Sequence, residues 1–277
     1  WTAITPSTCR ESSILFKLRN QHKNHNKHEV RNMEETGNSI HLRGHVCQPL
    51  QFGHELFGEQ FFVTTLRVPR LSGAEDFLPI TLSERLLIDE PIAAALGSGI
   101  DITQPIAAGS ILCLDGQLRS YNKVVEGSGR LLITAFAQRL LPEEDEENPN
   151  RVQLTGALCK APSYRTTPFG REIADLMLAV NRSYGKSDYI PCITWGRTAR
   201  YAANLKIGDK VQLVGRFQSR NYQKQLPDGT ILNKVAYEVS VSRLSAMKED
   251  PLTEALQSMN QRMPLQGQNT LSHAREY

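Results

Sequence analysis

Apolar residues recur at alternate positions over residues 151–158, where Val152, Leu154 and Leu158 punctuate polar or small neighbours, the period of a strand with one buried face. Pro162 and the turn at 168–170 reverse the chain. Residues 172–181 and 189–195, rich in Ile, Val, Leu and aromatics, are the next two predicted strands. A short helix follows them, with Thr198 as its N-cap, residues 199–205 as its apolar body and Gly208 as its exit. Strands over 210–219 and 231–243 complete the unit, joined by a turn containing Pro227, Asp228 and Gly229. The order is three strands, a helix, then two strands.

This pattern is written twice. A shift of 112 positions lays residues 38–85 on 150–197 without a gap, matching Asn38, Leu42, Gly44, Cys47, Phe57, Gly58, Val68, Arg70, Asp76, Pro79 and Arg85 to identical residues. The match resumes at an offset of 99, where Gly109, Leu114, Gly116, Ser120 and Asn122 meet Gly208, Leu213, Gly215, Ser219 and Asn221. The first copy therefore carries 13 extra residues, 112 minus 99. The fold is one unit used twice.

At 277 residues the chain accommodates two such units plus tails. Its net charge of +3 conceals an asymmetry: residues 151–247 hold 15 basic and 6 acidic groups, residues 38–142 hold 8 and 10. The second copy is thus the polyanion-binding candidate. The resulting partition is a disordered extension over 1–37, with Met33 as a candidate natural start, then a divergent first domain over 38–142 and an acidic linker over 143–149. The second domain spans 150–247, and a C-terminal helix and flexible tail span 248–277, the helix starting at Asp250 and Pro251. The five cysteines form no CxxC pair, and no apolar run approaches the ~18 residues of a membrane span, so a reduced, cytoplasmic protein is expected. Cys47 and Cys159 are read as small core residues. His22, His25 and His28 lie on a polar tail and are read as solvated, with no metal site. No phosphate loop, dinucleotide fingerprint, HExxH or GxSxG is present. No cofactor and no catalytic residue is expected, and Asp175, Asp188 and Glu238 are too scattered along the strands for a metal-dependent nuclease.

Five strands with a helix between the third and fourth is the layout of an all-β oligonucleotide-binding (OB) barrel, here two tandem five-stranded barrels. The stretches NRVQLTG (150–156), APSYR (161–165), LAVNR (178–182), YIPCITWGR (189–197) and VQLVGRFQSRNY (211–222) resemble, in order and spacing, the bacterial single-stranded DNA-binding protein family over about 95 residues. The first copy is similar more faintly, through its LRG opening, the Phe57–Gly58 turn and GSILCLDGQLRS. The resemblance implies base stacking on Tyr184, Tyr189, Trp195 and Tyr222. Interleaved cations suited to phosphates are Arg165, Arg182, Lys186, Arg197, Arg216, Arg220 and Lys224. Tyr189 and Trp195 share strand parity and hence a face, whereas Tyr201 and Tyr237 are assigned to packing.

In the first copy Phe77 replaces Tyr189, but Ser83 stands for Trp195 and Ser72 for Tyr184, leaving Phe77, Arg119 and Tyr121 as weaker contacts and a structural or oligomer-forming role as the expectation. The resemblance further implies a homodimer with four OB folds per assembly, acting on single-stranded DNA in replication, recombination and repair beside the enzymes of those processes. The acidic, hydrophobic tail tip of such proteins is not matched by the ending SHAREY. A second reading stays open, an accessory protein whose OB folds mainly bind other proteins.

Overall fold

The computed structural model describes residues 37–88, 106–125, 128–142, 148–182, 185–225 and 229–247. The first half comprises β1 (Asn38–Val46), β2 (Gln51–Leu56), β3 (Glu59–Pro69), β4 (Glu75–Ser83), α1 (Arg85–Ile88), β5 (Ile111–Val125) and β6 (Ser128–Leu141). The second repeats it as β7 (Asn150–Leu158), β8 (Ser163–Thr166), β9 (Glu172–Asn181), β10 (Ser187–Trp195), α2 (Gly196–Ala202), β11 (Lys210–Gln225) and β12 (Ile231–Ala246). The protein is all-β with minor helix, as its hydrophobic period predicts.

Each half curls into a ring because its first strand pairs on both edges. β1 pairs with β5 along most of its length and with β3 at His45↔Arg67 and Val46↔Leu66. β7 does the same with β11 and, at Ala157↔Ala179 and Leu158↔Leu178, with β9. The parallel pairs β4–β6 and β10–β12 complete the two five-stranded circuits. Four of the repeated glycines allow the curvature. A Cβ at Gly44 would stand 2.7 Å from the Arg67 carbonyl oxygen, and at Gly156 2.4 Å from that of Ala179. At Gly116 and Gly215, where β5 and β11 shift register against β6 and β12, the clash would be 2.1 and 2.3 Å. Inside the rings, Leu42, Leu66, Leu78, Leu114 and Leu118 fill one core and Leu154, Leu178, Ile190 and Phe217 the other.

Several local expectations are corrected. β8 forms a short edge strand where the sequence reads only as a turn, since its four residues are all exposed and carry no burial period. Helix α2 begins at Gly196, with the extended Trp195 as N-cap and no side-chain cap, so Thr198 lies inside the helix. Cys47 is exposed and Cys159 half-buried, because both follow the last inward position of their strands; the buried thiols are Cys113 and Cys192. Tyr237 packs with its ring 6.1 Å from Phe217, but Tyr201 is 43% exposed and accepts the Ala246 N–H. The first copy's extra residues, the acidic run at 143–147, the tail histidines and the C-terminal helix lie outside the described residues. No helix among the described residues is long and apolar enough to cross a membrane.

The halves join through β1 and β7, antiparallel and centred on Ile40↔Val152, which occupy the same position in the repeat. A pseudo-twofold axis therefore passes through that pair. It generates bonds in duplicate: the Arg43 N–H donates to Pro149 O at 2.8 Å and the Thr155 N–H to Gly37 O at 2.7 Å. Flanking the axis are two buried carboxylates, each held by both halves. Asp76 accepts from Arg70 Nε (2.7 Å), the Ser219 N–H (2.8 Å) and Arg216 (3.2 Å). Asp188 accepts from Arg182 Nε (2.6 Å), the Ser120 N–H (2.5 Å) and Arg119 (3.2 Å). Arg70 also donates to Ser219 O, and Arg182 to Ser120 O.

Burial alone would raise the Asp188 carboxyl, but the Arg182 hydrogen bond, the Ser120 N–H and the two arginine charges outweigh it and hold Asp188 below its ordinary value. Asp115, bonded to His41 and Arg139, is held down in the same way against its burial. A carboxyl depressed by folding contributes stability above its unfolded value and loses it on further acidification. Unfolding free energy is therefore expected to hold down to about pH 4, near the unfolded carboxyl value, and to decline below it in urea titrations. Asp188→Ala is expected to flatten that decline and to cost about 3–5 kcal/mol at neutral pH, since it strands Arg119 and Arg182 without their counter-ion.

Candidate nucleic-acid interface

Strand β10 sends Ile190, Cys192 and Thr194 inward and leaves Tyr189 and Trp195 47% and 40% exposed, so both rings stand on the outer face as their parity predicts. Six residues of strand, roughly 20 Å, separate them. The Trp195 indole N–H donates to Ser240 Oγ at 3.3 Å, which fixes the ring against β12. On β11 the bulge at Gly215 directs Phe217 into the core and leaves Arg216 and Arg220 partly exposed, with Gln218 buried between them. With Trp195, Arg171, Ser219, Asn221 and Arg70, these line an open groove of about 490 Å³. Beyond it, Tyr222 lines a second recess of about 590 Å³ with Gln223, Asn233, Lys234 and Val235. Arg220 spans the two, its Cζ 5.9 Å from the Tyr222 ring centre.

The groove is cationic at its surface and anionic beneath. Glu238 is buried and accepts from Gln218 Nε2 (2.8 Å) and Arg220 Nε (3.2 Å), holding Arg220 over Tyr222. Arg165 pairs with Asp175 at 2.7 Å. Burial chiefly raises the Asp175 carboxyl, and the nearby Glu238 charge adds to it, against the pull of Arg165 and Arg220. Burial and the neighbouring Arg70 charge push the Arg216 guanidinium down from its ordinary value, a sign of two cations crowded at one end of the groove. Among the described residues no group of three His, Cys, Asp or Glu is placed to hold a metal ion.

The structure thus gathers Trp195, Arg216, Arg220 and Tyr222 into one continuous surface. Tyr189 lies apart, at the far end of β10, where its N–H donates to Ser120 Oγ of the first half. Lys186 and Arg197 are exposed and form no ion pair among the described residues. Arg182 turns to Asp188 and away from the groove. Tyr184 lies outside the described residues, as does the Lys224 side chain. In the first half Phe77 and Tyr121 are 47% and 51% exposed, while Arg119 is drawn to Asp188 and lies 6.0 Å from the Phe136 ring centre. Sequence reasoning omits Arg171, Gln218, Asn221 and Lys234, each a polar residue beside a selected one. It also omits Arg70, whose place follows only from the pseudo-twofold packing.

Two closed five-stranded circuits in tandem, one bearing an aromatic and arginine-lined groove, define a tandem OB-fold protein. The Single-strand binding protein family model matches residues 149–247, the span of the second barrel. Single-stranded DNA-binding protein A of Bacillus subtilis is 41% identical over 96 residues, covering 32% of this chain and 56% of its own length. Single-stranded DNA-binding protein 1 of Staphylococcus aureus is 43% identical over 83 residues, covering 27% and 50%. The chain therefore spans about half the length of these curated relatives. The single-stranded DNA binding protein from Thermus aquaticus shares the fold at a TM-score of 0.55 and 20% identity, over 77% of this chain and 94% of that one.

Glu238→Ala is expected to lower the unfolding free energy by about 1–3 kcal/mol in urea denaturation, because it leaves the Gln218 amide without its buried acceptor and Arg220 without its anchor.

Proposed function

We propose that the protein binds single-stranded DNA with little sequence preference, chiefly through its second barrel. The observation that carries this reading is the exposed Trp195 ring, pinned by Ser240 and set in a groove walled by Arg171, Arg216 and Arg220. A flexible polyanion with unpaired bases needs flat side chains for stacking and cations spaced for its phosphates, and this surface offers both. Each base stacked on an aromatic contributes about 1–3 kcal/mol, whatever its identity. Tyr222, with Arg220 above it, continues the surface outward, and Lys186, Arg197 and Arg165 are further candidate phosphate contacts outside the groove. The relatives' names accord with this reading, and its role is binding rather than catalysis: the strand is covered and protected during replication, recombination and repair in the cytoplasm. Two such chains would present four barrels, as a homodimer.

Titration with oligo-dT is expected to quench Trp195 fluorescence while duplex DNA does not. With about five phosphate contacts the slope of log affinity against log salt is expected at roughly −3 to −4. Trp195→Ala is expected to weaken binding about five- to hundredfold, the range set by one lost stack. An unquenched Trp195 together with no retention of single-stranded DNA would overturn the reading in favour of a protein-binding accessory.

A further inference from the structure

The twelve strands of the sheet run from β2 at one end to β8 at the other, so each of these two has one edge with no neighbour among the described residues. Proteins usually blunt such an edge with a short strand or with Lys and Pro, since its bare N–H and C=O groups invite pairing with another chain. β8 is blunted in this way. It has four residues, follows Pro162, and ties its side chains back, Tyr164 to Glu172 at 2.6 Å and Arg165 to Asp175 at 2.7 Å. β2 is longer, with six residues, all of them exposed, and its one irregularity is a bulge at Gly53. It presents apolar groups to water: Phe52 and Leu56 are more than half exposed, and Phe57, in the turn that follows, is 99% exposed.

The charge of this hairpin is the reverse of its counterpart's. Residues 51–62 contain Glu55 and Glu59 and no Lys or Arg, whereas the corresponding residues 163–174 contain Arg165, Arg171 and Glu172. Arg85 answers Glu59 at 3.4 Å, and Glu55 forms no ion pair among the described residues. Phe57 is also held in the left-handed region, at φ 53°, followed by Gly58 at 79°. A bulky residue is disfavoured there, where Asn is the usual occupant of such a two-residue turn. The sequence thus keeps an aromatic ring in water, in a backbone conformation that opposes it, at the end of an open apolar edge.

We propose that β2 is a docking edge for an extended segment of another protein, one in which apolar residues alternate with Arg or Lys. The segment joins the first barrel as an added strand, its backbone bonding to the open edge of β2. Strand parity sets the pattern of its side chains. His54, stacked on Phe61 with ring centres 4.8 Å apart, lies on one face with Leu56, and Glu55 lies on the other. Apolar residues of the segment therefore sit beside Leu56 and its cations beside Glu55, as cross-strand neighbours do. Phe57 closes the end of the added strand. The same negative charge repels a phosphate backbone, so this edge serves protein and not nucleic acid. Docking at β2 is independent of what the groove of the second barrel holds.

Selection of random dodecapeptides displayed on phage, against the full chain with oligo-dT in excess, supplies the probe. Enriched sequences are expected to alternate apolar residues with Arg or Lys, and a synthetic peptide of that sequence is expected to slow amide exchange across Gln51–Leu56. Leu56→Gln and Phe57→Asn, both at exposed positions and the second suited to the left-handed turn, are each expected to weaken that peptide about ten- to hundredfold. Absence of enrichment, or enrichment of sequences without the alternation, would overturn docking at β2. So would protection confined to the second barrel, or affinity unchanged in both variants. Self-association of the wild type in sedimentation that Leu56→Gln abolishes would make a second copy the occupant, which overturns it as well.

Discussion

Two carboxylates removed from water, Asp76 and Asp188, are the constraint around which the two halves are arranged. Each is compensated only because the halves meet: a guanidinium from its own half (Arg70 or Arg182), a backbone N–H from the other (Ser219 or Ser120), and a second guanidinium from the other (Arg216 or Arg119). An isolated half would leave its aspartate with a single arginine, so the cost of desolvating the charge makes the relative placement of the barrels specific. The β1–β7 ladder supplies the hydrogen bonds across the axis, and the clamps fix its register and angle.

That placement also positions the proposed binding surface. Arg216 and Arg70 both serve a clamp and line the groove, so the charge presented to a strand there is already anchored before any ligand arrives. Arg220 is anchored in turn by Glu238, and Trp195 by Ser240. Such fixed side chains lose little conformational freedom on binding, the condition under which stacking and charge contacts yield affinity.

The repeat and the period-2 runs make most of the architecture legible, because strand patterning and the paired glycines are local signals. What they miss is equally local in cause. β8 lacks a buried face to announce it, and α2 starts without a side-chain cap, so Thr198 misleads. For the groove, Trp195 is readable from parity and Tyr222 from its place on β11; parity also puts Tyr189 on the outer face, but apart from the groove. Arg182 is misleading as a phosphate candidate because its partner, Asp188, is buried by tertiary packing that no sequence period encodes. Arg70 is invisible for the same reason, since it reaches the groove from a barrel more than a hundred positions away in the chain.

The arginines that complete the clamps do not occupy equivalent positions. In the second half Arg216 precedes Gln218; in the first, Gln117 precedes Arg119, and in each case the arginine side chain also donates to the glutamine. The two residue types have exchanged places while each aspartate keeps its second counter-ion. In a symmetric pair of separate chains, any such exchange would strike both interfaces at once. Joining the copies in one chain uncouples them, so the second arginine can shift by two positions at one interface while it stays in place at the other. Covalent linkage is in this sense what permits a symmetric scaffold to acquire a direction.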